Sequence, residues 1–313
     1  MEAVTAPRLA FAIGGLRFSL ASDGLPLLQE LHWPYVPFLG GEAAPAPAEP
    51  VRVRLEIDDA PSLEGETLFR SEATWSILAR GGERAFVFRE PDSPAPLFVA
   101  RFRPGSRDVS IACSSRLVRE GGGGPALESP FHYPLDQVLT MYLLGDSGFV
   151  VHAAGLAFEG RGVAFPGVSG AGKSTIARLL AGRPGWLPLS DDRVILGRAG
   201  DGPVLHGSPW PGEGKVAENR SVPARLFLFL EKGSDNRVTP ITPAQALARL
   251  FPVVSMPWFD RELLPGRMAG CEALAESVPA AVLEFRPEAG AAEAVESYLA
   301  SLPGAGDEER TQG

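Results

Sequence analysis

At 313 residues, with 45% hydrophobic and 21% charged side chains, the chain holds enough apolar material for a substantial core, which argues against global disorder. A formal net charge of -9 argues against a general nucleic-acid or membrane-surface binder. Two cysteines, Cys113 and Cys271, stand outside any CxxC or Cys/His cluster, which removes the basis for a disulfide framework or a structural zinc site.

In chain order, the N-terminal stretch lacks a basic segment followed by a long apolar one, and no apolar run reaches bilayer-spanning length, so a cytoplasmic protein with no membrane partner is expected. "LRFSLAS" sets Leu16, Phe18 and Leu20 against Arg17 and Ser19, and "VRVRLEID" alternates Val51, Val53, Leu55 and Ile57 with charged residues. "ERAFVFRE", "LFVARFRP" and "DVSIACSS" read as further strands, and the alternation predicts a half-exposed antiparallel sheet. Gly40 to Pro50 and Glu120 to Pro130 each read as a flexible loop or linker. The second places a domain boundary, giving a β-rich segment 1–127, an α/β domain 128–303 and a disordered tail 304–313.

"PLDQVLTMYLLGD" sets Leu135, Val138, Leu139 and Tyr142 on one helical face behind Pro134. "FVVHAAGLAFEGRGVAFPG" predicts two strands, "STIARLLAG" a helix, and "LPLSDDRVILGR", "PVLHG" and "ARLFLFLEK" more strands. "TPAQALARLF" and "RELLPGRMAGCEALAES" read as helices, the latter interrupted at Pro265, and "AAVLEFRP" and "AGAAEAVESYLASL" supply a last strand and helix. Alternating strands and helices with hairpins between them predict an α/β core on a mixed sheet.

The chemistry starts at Gly167-Val168-Ser169-Gly170-Ala171-Gly172-Lys173-Ser174, a complete GxxxxGK[ST] pattern between a predicted strand and a predicted helix. Its glycines let successive N–H groups turn inward as an anion nest, and the following helix adds its positive end. Gly167, Ser169, Gly170, Ala171, Gly172, Lys173, Ser174 and Thr175 are therefore the candidate nucleotide-binding residues, with Lys173 on the β and γ phosphates of ATP and the Ser174 hydroxyl suited to Mg2+. A ligand-free strand-to-helix turn is the bland alternative.

Asp191 and Asp192 end the apolar stretch Leu187–Leu189, where two carboxylates can flank one substrate, one holding metal and the other accepting a proton from a hydroxyl. A solvated acidic turn would look the same. His152, in "FVVHAAG", reads either as a hydrogen-bonded core residue or as a site residue.

"HAAG" at His152–Gly155, the glycine loop and "SDD" at Ser190–Asp192 together resemble the HPr serine kinase group, which shares its P-loop core with phosphoenolpyruvate carboxykinase. The resemblance covers Leu135 to Leu302 and is densest from His152 to Asp192. It implies an HPr-kinase-like fold, ATP-dependent phosphorylation of a hydroxyl, usually serine, and roles residue by residue. Asp192 would hold Mg2+ with Ser174, Asp191 would act as the base, and His152 would lie near the reacting phosphate.

After the Asp pair, "HGSPWPGEGK", His206 to Lys215, departs from the bifunctional HPr kinase/phosphorylases and looks like the HPr-kinase-related proteins found with peptide-modification genes, including lasso-peptide kinases. HPr as acceptor and phosphorolysis lose their ground there. Trp210 offers an apolar face and Glu213 is a third candidate metal ligand, although a surface loop with Trp210 tucked into the core fits equally. Arg220, Arg225, Arg249, Arg261 and Arg267 are candidates for stabilising transition-state charge, and spacing does not choose among them.

The expectation is a kinase acting on a peptide, protein or small-molecule hydroxyl acceptor, with no nucleic-acid partner and a homo-oligomer left open. A nucleotide-binding regulatory or transport ATPase is the reading from another class, although neither an LSGGQ segment nor a strand ending in Asp-Glu is present.

Overall fold

Strict alternation of apolar and polar residues builds the N-terminal half. A computed structural model describes residues 2–40, 49–71, 74–121, 123–200 and 202–303, so most of the expected Gly40–Pro50 linker and all of the tail 304–313 lie outside the described residues. Val51, Val53 and Leu55 are buried while Arg52, Arg54 and Glu56 face outward, and Ile57, expected on the inner face, is exposed at the strand end. The strands run in the order Arg8–Ile13, Leu16–Ser22, Val51–Ile57, Asp108–Cys113, Pro96–Phe102, Glu83–Arg89, Trp75–Arg80, Glu66–Arg70.

The expected antiparallel sheet is in fact mixed. Val51–Ile57 pairs in parallel with both Leu16–Ser22 and Asp108–Cys113, because the long connections on either side of it return the chain to the same end of the sheet. The expected linker at Glu120–Pro130 is also corrected. Val118–Gly121 and Gly124–Glu128 form a hairpin, Gly124 adopts a φ of 98°, and Leu127 is fully buried where that second strand pairs with Leu27–Leu31. Glycine supplied a tight turn there, not a flexible tether.

The second half is α/β with a mixed sheet. Its central strand, Phe149–Phe158, pairs through its first residues with Arg193–Ala199 and Val254–Ser255, and through its last with Arg161–Pro166 and Trp186–Ser190. Ser221–Lys232 then joins Arg161–Pro166, Gly202–His206 and Ala280–Phe285, so the pairings close into a ring, with Arg237–Ile241 at the outer edge. Helices Lys173–Ala181 and Ala289–Ser301 cover one face through Ile176, Leu180, Val295 and Leu299, and helices Pro243–Leu250 and Leu264–Ser277 pack elsewhere on the sheet through Ala246, Leu250, Cys271 and Leu274. Pro265 sits in the first turn of its helix, where a missing N–H costs nothing, so the expected interruption does not occur. Among the described residues no helix is long and apolar enough to cross a membrane.

The two halves share one apolar core. A single cluster of buried residues runs from Phe11, Phe18 and Val53 to Phe131, Leu139, Tyr142, Ile195 and Trp210. Helix Leu135–Leu143 turns its predicted face, Leu135, Val138, Leu139 and Tyr142, into that cluster. Two buried polar links cross with it. Arg84 forks onto Asp260 at 2.7 and 2.9 Å, and Asp136 accepts hydrogen bonds from Tyr35 and from the Trp210 indole, both at 2.9 Å. Burial pushes the Asp136 carboxyl above its ordinary value, while Trp210, Tyr35 and the Gln137 N–H pull it back.

His206 is buried at the same junction, its Nδ1 2.7 Å from the Ser221 hydroxyl, and burial pushes its imidazole down to about 4. The unfolded chain then binds the proton more readily, so stability falls as pH drops from the ordinary histidine value of 6.5 towards 4. The loss over that window is roughly 3 kcal/mol. Melting of the parent and of His206→Gln at neutral and acidic pH is expected to show the smaller acid-induced drop in the variant. Equal drops in both would place the acid sensitivity elsewhere.

Candidate functional site

Register in the central strand assembles the site. His152 is the last residue of Phe149–Phe158 paired with Arg193, and the next residue, Ala153, is paired with Pro166 at the entrance to the glycine loop. The Gly167 N–H donates to the His152 carbonyl at 3.1 Å, and the Ala153 N–H donates to the Asp192 carbonyl at 2.9 Å. Three separate sequence segments, around 152, 167 and 192, are thereby held together by backbone bonds.

The GxxxxGK[ST] segment lies between strand Arg161–Pro166 and helix Lys173–Ala181, as predicted. Gly170 and Gly172 take φ values of 80° and 102°, which side-chain-bearing residues rarely adopt. A Cβ on Gly172 would also stand 2.8 Å from the Phe285 ring. Val168, Ser169, Gly170 and Ser174 are exposed, whereas Lys173 is buried with its ammonium turned into the loop. That ammonium donates to the Gly167 and Val168 carbonyls at 2.8 and 3.0 Å and lies 3.0 Å from His152 Nε2.

Asp192 completes the cluster, with Oδ1 3.0 Å from the same His152 Nε2 and Oδ2 2.5 Å from Arg193 Nη1. Burial, reinforced by the Lys173 charge, pushes the His152 imidazole below its ordinary value, while Asp192 opposes this. Burial likewise lowers the Lys173 ammonium, against the pull of Asp192. A neutral imidazole can accept from Lys173 at Nε2 or donate from it to Asp192, but not both at once, so a tautomer change switches which neighbour it serves. His152 is half-buried, and its ring meets Lys173 and Asp192 rather than the apolar core.

Asp191 points the other way. It is buried, and its carboxylate accepts the Gly212, Val216 and Gly214 N–H groups at 3.0, 3.2 and 2.6 Å. A Cβ on Gly214 would come within 2.7 Å of its Oδ2, so the glycines of "PGEGK" are what let the loop close on it. Asp191→Asn replaces one of two acceptor oxygens by a donor facing these N–H groups and is expected to cost roughly 1.5–3 kcal/mol, the scale of hydrogen bonds to a charged group. Urea unfolding measures it, and parental stability in the variant would show that these bonds contribute nothing.

Glu213, between the two anchored glycines, is exposed, and Trp210 is buried in the junction core while still lining a cavity that Arg193 also lines. Of the five arginines singled out, Arg267 is buried and donates to the Gly145, Gly148, Met141 and Tyr142 carbonyls, Arg249 pairs with Glu231 at 2.7 Å, and Arg225 reaches the Leu302 carbonyl at 2.9 Å. Arg220 and Arg261 are exposed. The arginine beside the site is Arg193, which sequence reasoning passed over although it directly follows Asp192. Its Nε is buried without a hydrogen-bond partner, as is the Ser190 hydroxyl. Arg193 also lines a cavity of about 440 Å3 walled by His32, Tyr35, His132, Tyr133, Pro209 and Trp210.

No group of three or more His, Cys, Asp or Glu side chains that could hold a metal occurs among the described residues. Mg2+ needs none, since it is commonly bound by one or two protein oxygens and completed by phosphate and water. Ser174, exposed in the first helical turn, and Asp192, beside His152, carry oxygens of the kind that Mg2+ takes.

No curated protein matches the chain. A family model described as ScmC, SynChlorMet cassette protein, matches residues 136–264, less than half of the chain. The chain is similar to that family over the stretch that contains Asp136, His152, the glycine loop, the Asp pair and the loop anchored by Asp191.

Proposed function

We propose that the protein is an ATP- and Mg2+-dependent kinase that phosphorylates a hydroxyl group, with a serine of a peptide or protein as acceptor. The observation that carries this reading is the convergence of Lys173, His152 and Asp192 within 3.0 Å contacts at the mouth of a complete GxxxxGK[ST] loop. The resemblance to the HPr serine kinase group, with its P-loop fold, supports the same assignment.

In this reading the loop N–H groups and the helix N-terminus hold the ATP phosphates, and Lys173 exchanges its loop carbonyls for β and γ phosphate oxygens. Ser174 and Asp192 would hold Mg2+, with Glu213 available from the neighbouring loop, and the ion would supply charge neutralisation on the phosphates. As the acceptor oxygen attacks the γ-phosphorus, its proton passes to a carboxylate or imidazole. Asp191 is one candidate for that base. The Asp192–His152 pair is the other, and the geometry favours it because Asp191 already accepts three loop N–H bonds.

The acceptor enters beside Arg193, through the cavity walled by Trp210, Tyr35 and Tyr133. Tyr133 is 56% exposed at its edge, which extends the apolar surface beyond the cavity and suits a chain segment better than an enclosed small alcohol. Incubation with γ-labelled ATP and a panel of peptides, proteins and small alcohols tests the reading. Label on an acceptor is expected with the parent protein. Phosphate release with no labelled acceptor would turn the assignment to the ATPase reading.

A further inference from the structure

A second cavity, of about 460 Å3, lies at the junction of the two halves, and none of its lining residues belongs to the glycine loop or the Asp pair. One wall is the hairpin tip Gly14-Gly15, the opposite wall the strands Arg193–Ala199, Gly202–His206 and Ser221–Lys232. Its ionisable lining consists of Arg107, Arg198 and His206, with no acidic side chain, in a chain whose net charge is -9. The apolar part of the wall is Leu16, Leu143, Leu144, Val204 and Val222.

One polar group lining it, the His206 ring, has a protein hydrogen bond at one nitrogen only. His206 is 94% buried by its 6% relative exposure, and Ser221 engages only its Nδ1. Its Cε1–Nε2 edge looks onto Gly15 and Gly197, where an added Cβ would stand 3.6 Å from Cε1 and 3.4 Å from Nε2 respectively, so two glycines leave that edge uncovered. The Nη1 of Arg107 is buried without a hydrogen-bond partner. An unanswered buried donor is costly, and native structures retain few of them unless something else satisfies the group.

We infer that this cavity binds a small amphiphilic carboxylate, whose anionic head is held by Arg107 and Arg198 with a hydrogen bond to His206 Nε2, and whose apolar body lies against Leu16, Leu143 and Val222. Two cations without a carboxylate among them select an anion, and the leucine and valine walls select against a bare inorganic one. The neutral state that burial imposes on His206 suits it to hydrogen bonding and leaves the charge to the arginines. The inference stands apart from the kinase reading, because no residue of the phosphate loop takes part.

Octanoate is the probe, titrated into the full chain by calorimetry and followed by thermal melting. Saturable binding of one octanoate per chain and a rise in melting temperature are expected. Arg107→Gln and Arg198→Gln are each expected to weaken binding about tenfold, the effect of one lost charge-assisted bond. Arg198 is exposed, so its replacement tests the head-group site without touching the core. Lys173→Met is expected to bind octanoate as the parent does, which keeps this result separate from any failure of nucleotide binding. Absence of saturable binding, unchanged affinity in the Arg198→Gln variant, or equal competition by inorganic phosphate would each overturn the inference.

Discussion

A chain beginning at Glu128 is expected not to fold, although a domain boundary reads naturally into the glycines just before it. The cut falls at the end of strand Gly124–Glu128, which pairs with Leu27–Leu31 and forms part of the hairpin to Val118–Gly121. It also removes the partner of a core face. Phe131, Leu135, Val138, Leu139, Tyr142, Leu143, Val150, Ile195, Trp210 and Ala217 all belong to the cluster that continues into Phe11, Phe18, Val53 and Phe86. Exposing even half of the larger side chains, at roughly 1.5–3 kcal/mol each, subtracts about as much as a whole domain has to lose. Asp260, 1% exposed, would lose Arg84, and breaking one side of a buried pair costs roughly 3–5 kcal/mol more. Circular dichroism and hydrogen exchange on the shortened chain measure the outcome. A cooperative melt together with nucleotide binding would establish 128–303 as an independent domain and leave the shared core a mere contact.

The difference between the linker expected and the hairpin found shows where the sequence is legible. Short-range signals read correctly wherever one periodicity dominates. Val51, Val53 and Leu55 alternate, Leu135, Val138, Leu139 and Tyr142 recur at helical spacing, and both elements form on those residues. Glycine is ambiguous because it serves equally in a tether and in a tight turn, and the decision at Gly124 belongs to Leu127 and its distant partner Leu27. The parallel pairings of Val51–Ile57 are invisible for the same reason, since they are set by which strands meet and not by any strand's own pattern.

The site divides in the same way. The glycine loop is a contiguous pattern and could be read residue by residue, and the Asp pair could be located at a strand end. What each aspartate touches could not be, because adjacent side chains at a bend diverge and, Arg193 apart, their partners lie 20 to 40 residues along the chain. Asp191 turns to Gly212, Gly214 and Val216, while Asp192 turns to His152 and Arg193. Arg193 carried a signal that was available, its place directly after Asp192, whereas its pairing with His152 is set by the fold. The Tyr35–Asp136–Trp210 network carried none, since a tyrosine, an aspartate and a tryptophan from three segments are joined only by the fold.

Lys173→Met is expected to lower nucleotide-dependent turnover at least about a hundredfold while leaving the chain folded, the scale of removing one positioned charge from a transition state. The thioether keeps the methylene stem packed and removes only the ammonium, which in the parent contacts the Gly167 and Val168 carbonyls and His152 Nε2. Those bonds tie the side chain to the loop and not to the apolar core. Their loss costs roughly 1–3 kcal/mol of local order, within the stability of a folded domain. On the proposed kinase reading the effect on phosphate is larger, because the substituted atom carries the full charge that a transferring γ-phosphoryl group would meet. His152 reports on the same change. With Lys173 gone, burial still lowers its imidazole, but the second cause of that depression disappears and Asp192 remains beside it, so the imidazole is expected to rise towards its ordinary value. Turnover, nucleotide affinity, thermal melting and the His152 titration by nuclear magnetic resonance, followed in parent and variant, separate these effects. A folded variant that turns over nucleotide at the parental rate would remove the glycine loop from the chemistry, and an unmoved His152 titration would remove Lys173 from its electrostatic surroundings.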